Sequence, residues 1–319
     1  MKNLNCNSMP RQIGPPQTVR NQTPSIGDEV RKIYVSEKFK REILLHITRI
    51  IYADNAETPI MLGISGAPGE GKTFQVKHVL SNSKVEVFNF CFSEFENINA
   101  GIPIEKLVER YNEAQAEIKE KNKVACLFID DIDVGLGKKD GYQYTVNFQH
   151  LEGGLMSFAN FSEETKPRVP IILTGNNFSL LHEPLIRHGR MRHFEWTPEE
   201  KEMCLMVKYY FHQFSEDICS GIVNDINAYC DFKKIPHRNI AFYASLKTAI
   251  SDDNLWIYIS EKNLHYENKN ITTGVQIEDL LKNTIVSKDD VITKGKFIID
   301  MQLKSKRNHI QGGEQDGKN

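Results

Sequence analysis

Residues 66–73 of this 319-residue chain read Gly66-Ala67-Pro68-Gly69-Glu70-Gly71-Lys72-Thr73 and fit the spacing G-x-x-x-x-G-K-[ST]. Glycines at these positions let backbone N–H groups converge on phosphate oxygens. A helix opening at Lys72 turns its partly positive N-terminus to the same point. The Lys72 ammonium then reaches the outer phosphates, and the Thr73 hydroxyl is an oxygen ligand suited to Mg2+. The flanks agree: an apolar run, residues 59–64, ends in the glycine turn, and residues 72–81 have a helical pattern. The chemistry predicted is binding of a nucleoside triphosphate, with ATP and Mg2+ as cofactors.

Two further clusters fit phosphoryl transfer. Asp130-Asp131 closes the apolar run of residues 124–129. A carboxylate at such a strand end lies beside the phosphate loop, where Asp130 can hold the metal and Asp131 can orient the attacking water. Asp133 is a weaker candidate for a structural contact. Another apolar run, residues 169–173, ends in Thr174-Gly175-Asn176-Asn177. Asn176 at that tip can polarise the water or touch the γ-phosphate, with Asn177 as the alternative; alone the string is weak, because turns favour Gly and Asn. Next come Arg187, Arg190 and Arg192, at two- and three-residue spacing. In a ring, such arginines reach a neighbour's γ-phosphate and offset charge developing there.

These residues need a scaffold that brings strand ends together. Short apolar strands at 59–64, 85–90, 124–129, 169–173 and 193–196 alternate with helical patterns at 30–56, 72–81 and 103–121. The fold class expected is α/β, a parallel sheet covered on both faces, followed by a smaller helical lid. The divisions expected are a disordered tail at 1–29, rich in Pro, Gln and Asn, an α/β nucleotide-binding domain at 30–197, a helical domain with a C-terminal extension at 198–303, and a disordered polar tail at 304–319.

The bulk numbers exclude several classes. Forty Lys and Arg against 42 Asp and Glu leave a net charge of −2, without the basic surplus of a nucleic-acid or membrane-surface coat. No apolar run approaches the ~20 residues of a membrane helix. The six cysteines form no CxxC pair and no zinc spacing, and read as reduced, buried thiols. With no signal-peptide core at the N-terminus, the location expected is cytoplasmic, with the plastid stroma as the alternative.

The order of phosphate loop, Asp-Asp strand, Asn strand, arginine pair and helical region resembles the AAA+ ATPases. The strings Leu127-Phe128-Ile129-Asp130-Asp131-Ile132-Asp133, Gln143-Tyr144-Thr145-Val146-Asn147, Arg168-Val169-Pro170-Ile171-Ile172-Leu173-Thr174-Gly175-Asn176 and Pro184-Leu185-Ile186-Arg187-His188-Gly189-Arg190-Met191 are similar to those of rubisco activases. The likeness covers roughly residues 33–260 and reaches Ala241-Phe242-Tyr243-Ala244-Ser245-Leu246. It implies an AAA+ core with a helical lid, assembled as a hexameric ring. It also implies ATP-driven release of inhibitory sugar phosphates from Rubisco, pulled through a central pore lined by residues 94–103 and 135–142. By the same likeness Arg187 and Arg190 are arginine fingers. The chain departs from the family in carrying Asp130 where Asn is usual, and Lys247 and Ala249 where arginines are expected; Lys247 is the candidate second sensor, as a point charge rather than a fork. Three other readings compete. An AAA+ ATPase acting on another client would keep all of these motifs. A nucleic-acid loader would need a basic stripe, and the one basic cluster, Lys304-Ser305-Lys306-Arg307, lies in the tail. A P-loop small-molecule kinase would need no arginines after the Asn strand.

Overall fold

The computed structural model describes residues 33–53, 58–91, 102–133, 146–159, 167–262 and 286–313. The first helix, α1 (Glu37–Tyr52), starts later than residue 30 because Ser36 caps it: the Ser36 hydroxyl accepts the Lys38 N–H at 3.2 Å. Phe39, Ile43, His46, Ile47 and Ile50 recur at helical spacing and form its buried face. There follow β1 (Met61–Ser65), α2 (Lys72–Asn82), β2 (Glu86–Cys91), α3 (Ile102–Lys121), β3 (Ala125–Asp130), α4 (Val146–Ala159), β4 (Ile171–Gly175), a 3-10 turn at Phe178–Leu180, the short α5 (Glu183–Ile186) and β5 (Met191–Glu195).

The five strands form one sheet in the order β2-β3-β4-β1-β5, and every neighbouring pair is parallel. β1, β3 and β4 are buried along nearly their whole length, which is why they read as continuous apolar runs rather than alternating ones. Leu62, Ile64, Phe128 and Ile172 face one core with Phe39, Ile43, Val76 and Val79 from α1 and α2. Met61, Leu127, Ile129, Ile171 and Leu173 face the other, with Leu107, Tyr111 and Ala114 from α3 and Leu155 from α4.

Helix α4 is absent from the sequence reading because Gly153 and Gly154 interrupt its pattern. Gly154 is there for space: a Cβ on it would lie 1.9 Å from Ile104 Cδ1 of α3. A related constraint fixes the end of β4. The Phe178 ring lies across Gly63 of β1 and Gly175 of β4, where a Cβ would stand 2.4 and 2.5 Å from it. Side chains at either glycine would displace Phe178 and the turn it anchors.

Beyond β5 the chain is helical, as expected, in α6 (Glu200–Tyr210), α7 (Glu216–Phe232), α8 (Ile240–Lys262) and α9 (Lys288–Gly313). α6 packs on α7 and α8, and α9 packs on the same two. Their core, including Cys219, Ile226, Tyr243, Leu246 and Ile299, is continuous with the α1/α2 side of the sheet through Trp196 and Met206. The disordered tail expected from residue 304 is corrected as far as Gly313: α9 continues to that residue. Buried Val291, Ile292 and Ile299 anchor that helix upstream, so its polar end extends an already nucleated element. Cys126, Cys204, Cys219 and Cys230 are buried free thiols, and burial pushes Cys126 up to about 12. Among the described residues no helix is long and apolar enough to cross a membrane. The expected tail at 1–29 and most of the two expected pore loops lie outside the described residues; Ile102 and Pro103 of the first open α3.

His46 gives the fold a pH dependence. Its Nε2 lies 3.1 Å from Ile60 O in the buried seam beside β1. Burial is the main cause that lowers its pKa from 6.5 to about 4. Because the folded chain disfavours the charged ring, stability is full above the unfolded value and declines as pH falls from 6.5 toward 4. The expected loss is at most about 3 kcal/mol at ~1.4 kcal/mol per pH unit. Urea unfolding across this range should lose that slope in His46→Met.

Candidate nucleotide site

The C-terminal ends of β1, β4 and β3 lie side by side. The register pairs Ser65 with Gly175 and Ile129 with Leu173. Residues 66–71 leave β1 as a turn with Gly66, Gly69 and Gly71 at φ of 157, 79 and 78°. Two of these glycines also meet steric limits: a Cβ on Gly66 would stand 2.2 Å from Trp196 O, and one on Gly69 2.4 Å from Asn239 Nδ2. Gly71 is the N-cap of α2, so Lys72 opens the helix as the spacing predicts.

Lys72 is buried. Its ammonium donates to Gly66 O at 2.8 Å, Ala67 O at 3.0 Å and Asn176 Oδ1 at 3.0 Å. Desolvation lowers its pKa, against the pull of Asp131, Asp133, Glu70 and Asp130. Asp130 Oδ1 accepts two hydroxyls, Thr73 Oγ1 at 2.7 Å and Thr174 Oγ1 at 2.6 Å, while Oδ2 lies 3.7 Å from Lys77 Nζ. Asp131 takes a left-handed φ of 51°, which Asp tolerates better than most residues. Its N–H donates to Thr174 Oγ1 at 3.0 Å. Burial, then the charges of Asp130 and Asp133, push its carboxyl up, opposed by Lys72 and Lys77.

Asp133, the weaker sequence candidate, has the most defined structural part. It is buried, and its Oδ2 accepts the backbone N–H groups of both Asn176 and Asn177 at 2.7 Å. It therefore sets the turn that presents Asn176 to Lys72. Asn177 points elsewhere: it caps the 3-10 turn by accepting Ser179 N at 2.9 Å. Between Asn176 and Asn177, the geometry places Asn176 in the site.

Three sequence candidates lie away from this point. Arg187 is exposed and Arg190 partly buried, with Arg190 Nη1 donating to Pro184 O at 2.8 Å. Arg190 O accepts Met61 N, and Met61 pairs with Met191, so this arginine stands at the N-terminal end of β1. The five residues from Met61 to Gly66 put it roughly 16 Å from the phosphate loop of its own chain, at ~3.3 Å per residue. Lys247 lies in α8 two turns after Ile240, about 10 Å along the axis.

Sequence reasoning did not find the flank of the loop. Tyr34, Gly71, Phe74, Met206, Tyr209, Tyr210 and Ile240 line a pocket beside Gly71. The rings of Tyr34, Phe74, Tyr209 and Tyr210 make its walls aromatic. Behind it, Gln75 accepts Ser36 N at 3.0 Å, and buried Glu202 accepts Ser36 Oγ at 2.6 Å and Tyr34 OH at 3.2 Å. Burial, reinforced by Glu202, raises Tyr34 to about 12, so its phenol stays a donor. No pattern in the sequence links these distant segments.

Residues 62–199 match the model of the ATPase family associated with various cellular activities (AAA). Among curated proteins, ribulose bisphosphate carboxylase/oxygenase activase 2, chloroplastic, of Larrea tridentata is 32% identical over 289 residues, covering 86% of this chain and 64% of its own. The chain is rubisco activase-like and carries an AAA domain. The Zea mays activase is 30% identical over 286 residues (86% of this chain, 64% of the relative), and the Malus domestica activase 33% over 273 (80% and 56%). The chain thus spans less than two thirds of these relatives' length. The AAA match runs from β1 to the residue before α6 and holds the whole Lys72–Asp130–Asn176 cluster.

Two outcomes test this geometry. Asp133→Ala leaves two backbone N–H groups without their charged acceptor, at about 1.5–3 kcal/mol each. It should lower the melting temperature and cut ATP turnover by at least about tenfold, with nucleotide affinity little changed; unchanged kcat would remove Asp133 from the site. Asp131→Asn should raise the melting temperature at pH 7 while abolishing turnover. Because the folded chain raises this carboxyl, its charge destabilises the fold above the folded pKa. The gain should vanish as pH falls below the ordinary value of ~3.9.

Proposed function

We propose that the chain is a Mg2+-dependent ATPase that works in a ring, a hexamer on the family pattern, and remodels Rubisco to free it of inhibitory sugar phosphates. What carries the reading is the convergence of Lys72, Thr73, Asp130, Asp131 and Asn176 at one edge of the sheet. The activase relatives supply the client. Their chloroplastic names favour the plastid stroma over the cytoplasmic location expected from the sequence.

The loop, residues 66–73, holds the phosphates through its backbone N–H groups, and Lys72 contacts the outer two. The aromatic pocket of Tyr34, Phe74 and Tyr209 takes the adenine. Thr73 Oγ1 and Asp130 Oδ1, 2.7 Å apart, are hard oxygen donors that suit Mg2+, which takes one or two protein oxygens beside phosphates and water. Among the described residues no three His, Cys, Asp or Glu form a closed cage. When bound, the ion neutralises charge on the phosphate oxygens. Asp131 accepts the hydrogen bond of the attacking water and Asn176 holds it in line. The water oxygen bonds to the γ-phosphorus as the bond to the bridging oxygen breaks, giving ADP and phosphate.

Arg187 and Arg190 cannot serve their own loop across the length of β1. Their place at the far end of that strand suits a role on the next copy's γ-phosphate, which makes the ring a requirement of the chemistry. Lys247 is proposed as second sensor only through movement of α8.

The test is reactivation of inhibitor-locked Rubisco with ATP. Wild type should restore carboxylation, and Lys72→Ala and Arg190→Ala should each lose at least about 100-fold in ATP turnover. Mixing the two variants should regain part of the turnover, because some interfaces then pair an intact Lys72 with an intact Arg190. If ATP turns over while Rubisco stays locked, another client is the substrate. If mixing rescues nothing, the arginine does not act across subunits.

A further inference from the structure

The phosphate loop carries an acid, Glu70, at one of its free positions. Its Oε2 is buried and has no hydrogen-bond partner among the described residues. The N–H of Ile240, the first residue of α8, favours the charged form of its carboxyl. Two hydrogen bonds join the same segments. Asn239 Nδ2 donates to Pro68 O at 2.9 Å, and Ala241 N donates to Gly69 O at 3.1 Å. Asn239 Oδ1 also accepts Phe242 N at 3.0 Å, closing the first turn of α8. Pro68 and Gly69 are thus bonded to Asn239 and Ala241 across the start of α8, with the Glu70 carboxyl close to Ile240 between them. On the other side the loop is held by Trp196 Nε1, which donates to Glu70 O at 2.8 Å.

The arrangement sets two requirements against each other. The turn that must receive a polyanion also holds a carboxylate, and that carboxylate has a buried oxygen without a partner beside the first N–H of α8. Phosphates drawn in by the loop N–H groups repel Glu70, and both compete for the single buried lysine of the loop. Burial and proximity to Lys72 already act on Glu70 in opposite senses, the first raising its pKa and the second lowering it.

We propose that Glu70 and Asn239 form a charge-sensitive latch between the phosphate loop and α8, so that triphosphate binding weakens the latch and releases the first turn of α8. Glu70 is a positioning residue, since it acts through α8 and needs no contact with the reacting atoms. The inference rests on the nucleotide site proposed above and adds the route by which that site moves the helical region. The sequence alone marks Glu70 only as a free position of the motif.

The test uses the full chain, a non-hydrolysable ATP analogue with Mg2+, and two readouts. In binding titrations Glu70→Gln keeps the side-chain shape and an acceptor for Ile240 N but removes the charge. It should bind the analogue about 3- to 10-fold more tightly, the range expected for a partly screened like-charge contact. In hydrogen exchange, the amides of Ile240, Ala241 and Phe242 should exchange faster when the analogue binds wild type, and less so in Glu70→Gln. A structural role alone would move neither readout. Asn239→Ala, which keeps the Glu70 charge and cuts the Pro68 bond, should raise exchange at 240–242 before any nucleotide is added. Equal or weaker binding by a folded Glu70→Gln, or slower exchange at 240–242 on binding, overturns the latch. Failure of wild type to bind the analogue at all overturns the nucleotide site itself, and the latch with it.

Discussion

The site depends on one carboxylate oxygen. Asp130 Oδ1 accepts the hydroxyls of Thr73 and Thr174 at 2.7 and 2.6 Å, so α2, β3 and β4 meet at a single acceptor. An ionised oxygen accepting two hydroxyls is a strong, charge-assisted junction. It works only because the strands are parallel and in register, bringing three C-terminal ends to one level. Neither core needs a polar atom here. Both cores serve to hold Leu62, Phe128, Ile172 and their neighbours so that this junction closes.

From that junction, coupling to the helical region follows two physical routes. One runs through α2: Gln75, two residues after Thr73, bonds Ser36, and Ser36 bonds Glu202 of α6. The other runs from the loop itself to Asn239 and α8. Trp196 closes the gap between them, with its carbonyl against Gly66, its indole N–H on Glu70 O and its ring edge-on to Phe39. A change at the loop therefore meets buried polar partners through α2, where an unmade bond is costly, and an exposed bond at Asn239.

The strands were legible because buried parallel strands are continuous apolar runs, and the loop because its chemistry is contiguous: Lys72 and Thr73 adjoin, and Asp130 ends its strand. What was illegible is built from distant partners. Asp133 bonds residues 43 and 44 positions away, so no local pattern distinguishes it from Asp131. Tyr34, Phe74 and Tyr209 come from three segments and share no motif. Helix α4 was hidden by Gly153-Gly154, whose reason is the pressure of Ile104 across the helix pair. For Arg187 and Arg190 the residue type was informative, but their position at the opposite end of β1 from the loop required the register.

That position, together with the charge balance, explains why the site would be incomplete in one copy. Asp130, Asp131, Asp133 and Glu70 lie at or beside the loop, against Lys72 and Lys77. A triphosphate adds further negative charge to a place where the acids already outnumber the bases. On the proposed reading a divalent cation held by Thr73 and Asp130 would offset part of that charge. It cannot offset charge spreading over the far oxygens of the transferring phosphoryl group. On that reading Arg187 and Arg190 lie a strand's length from their own loop, so their share of the compensation would come from a second copy. Turnover would then require ATP, metal and a neighbour together, and a lone subunit would hold ATP without hydrolysing it.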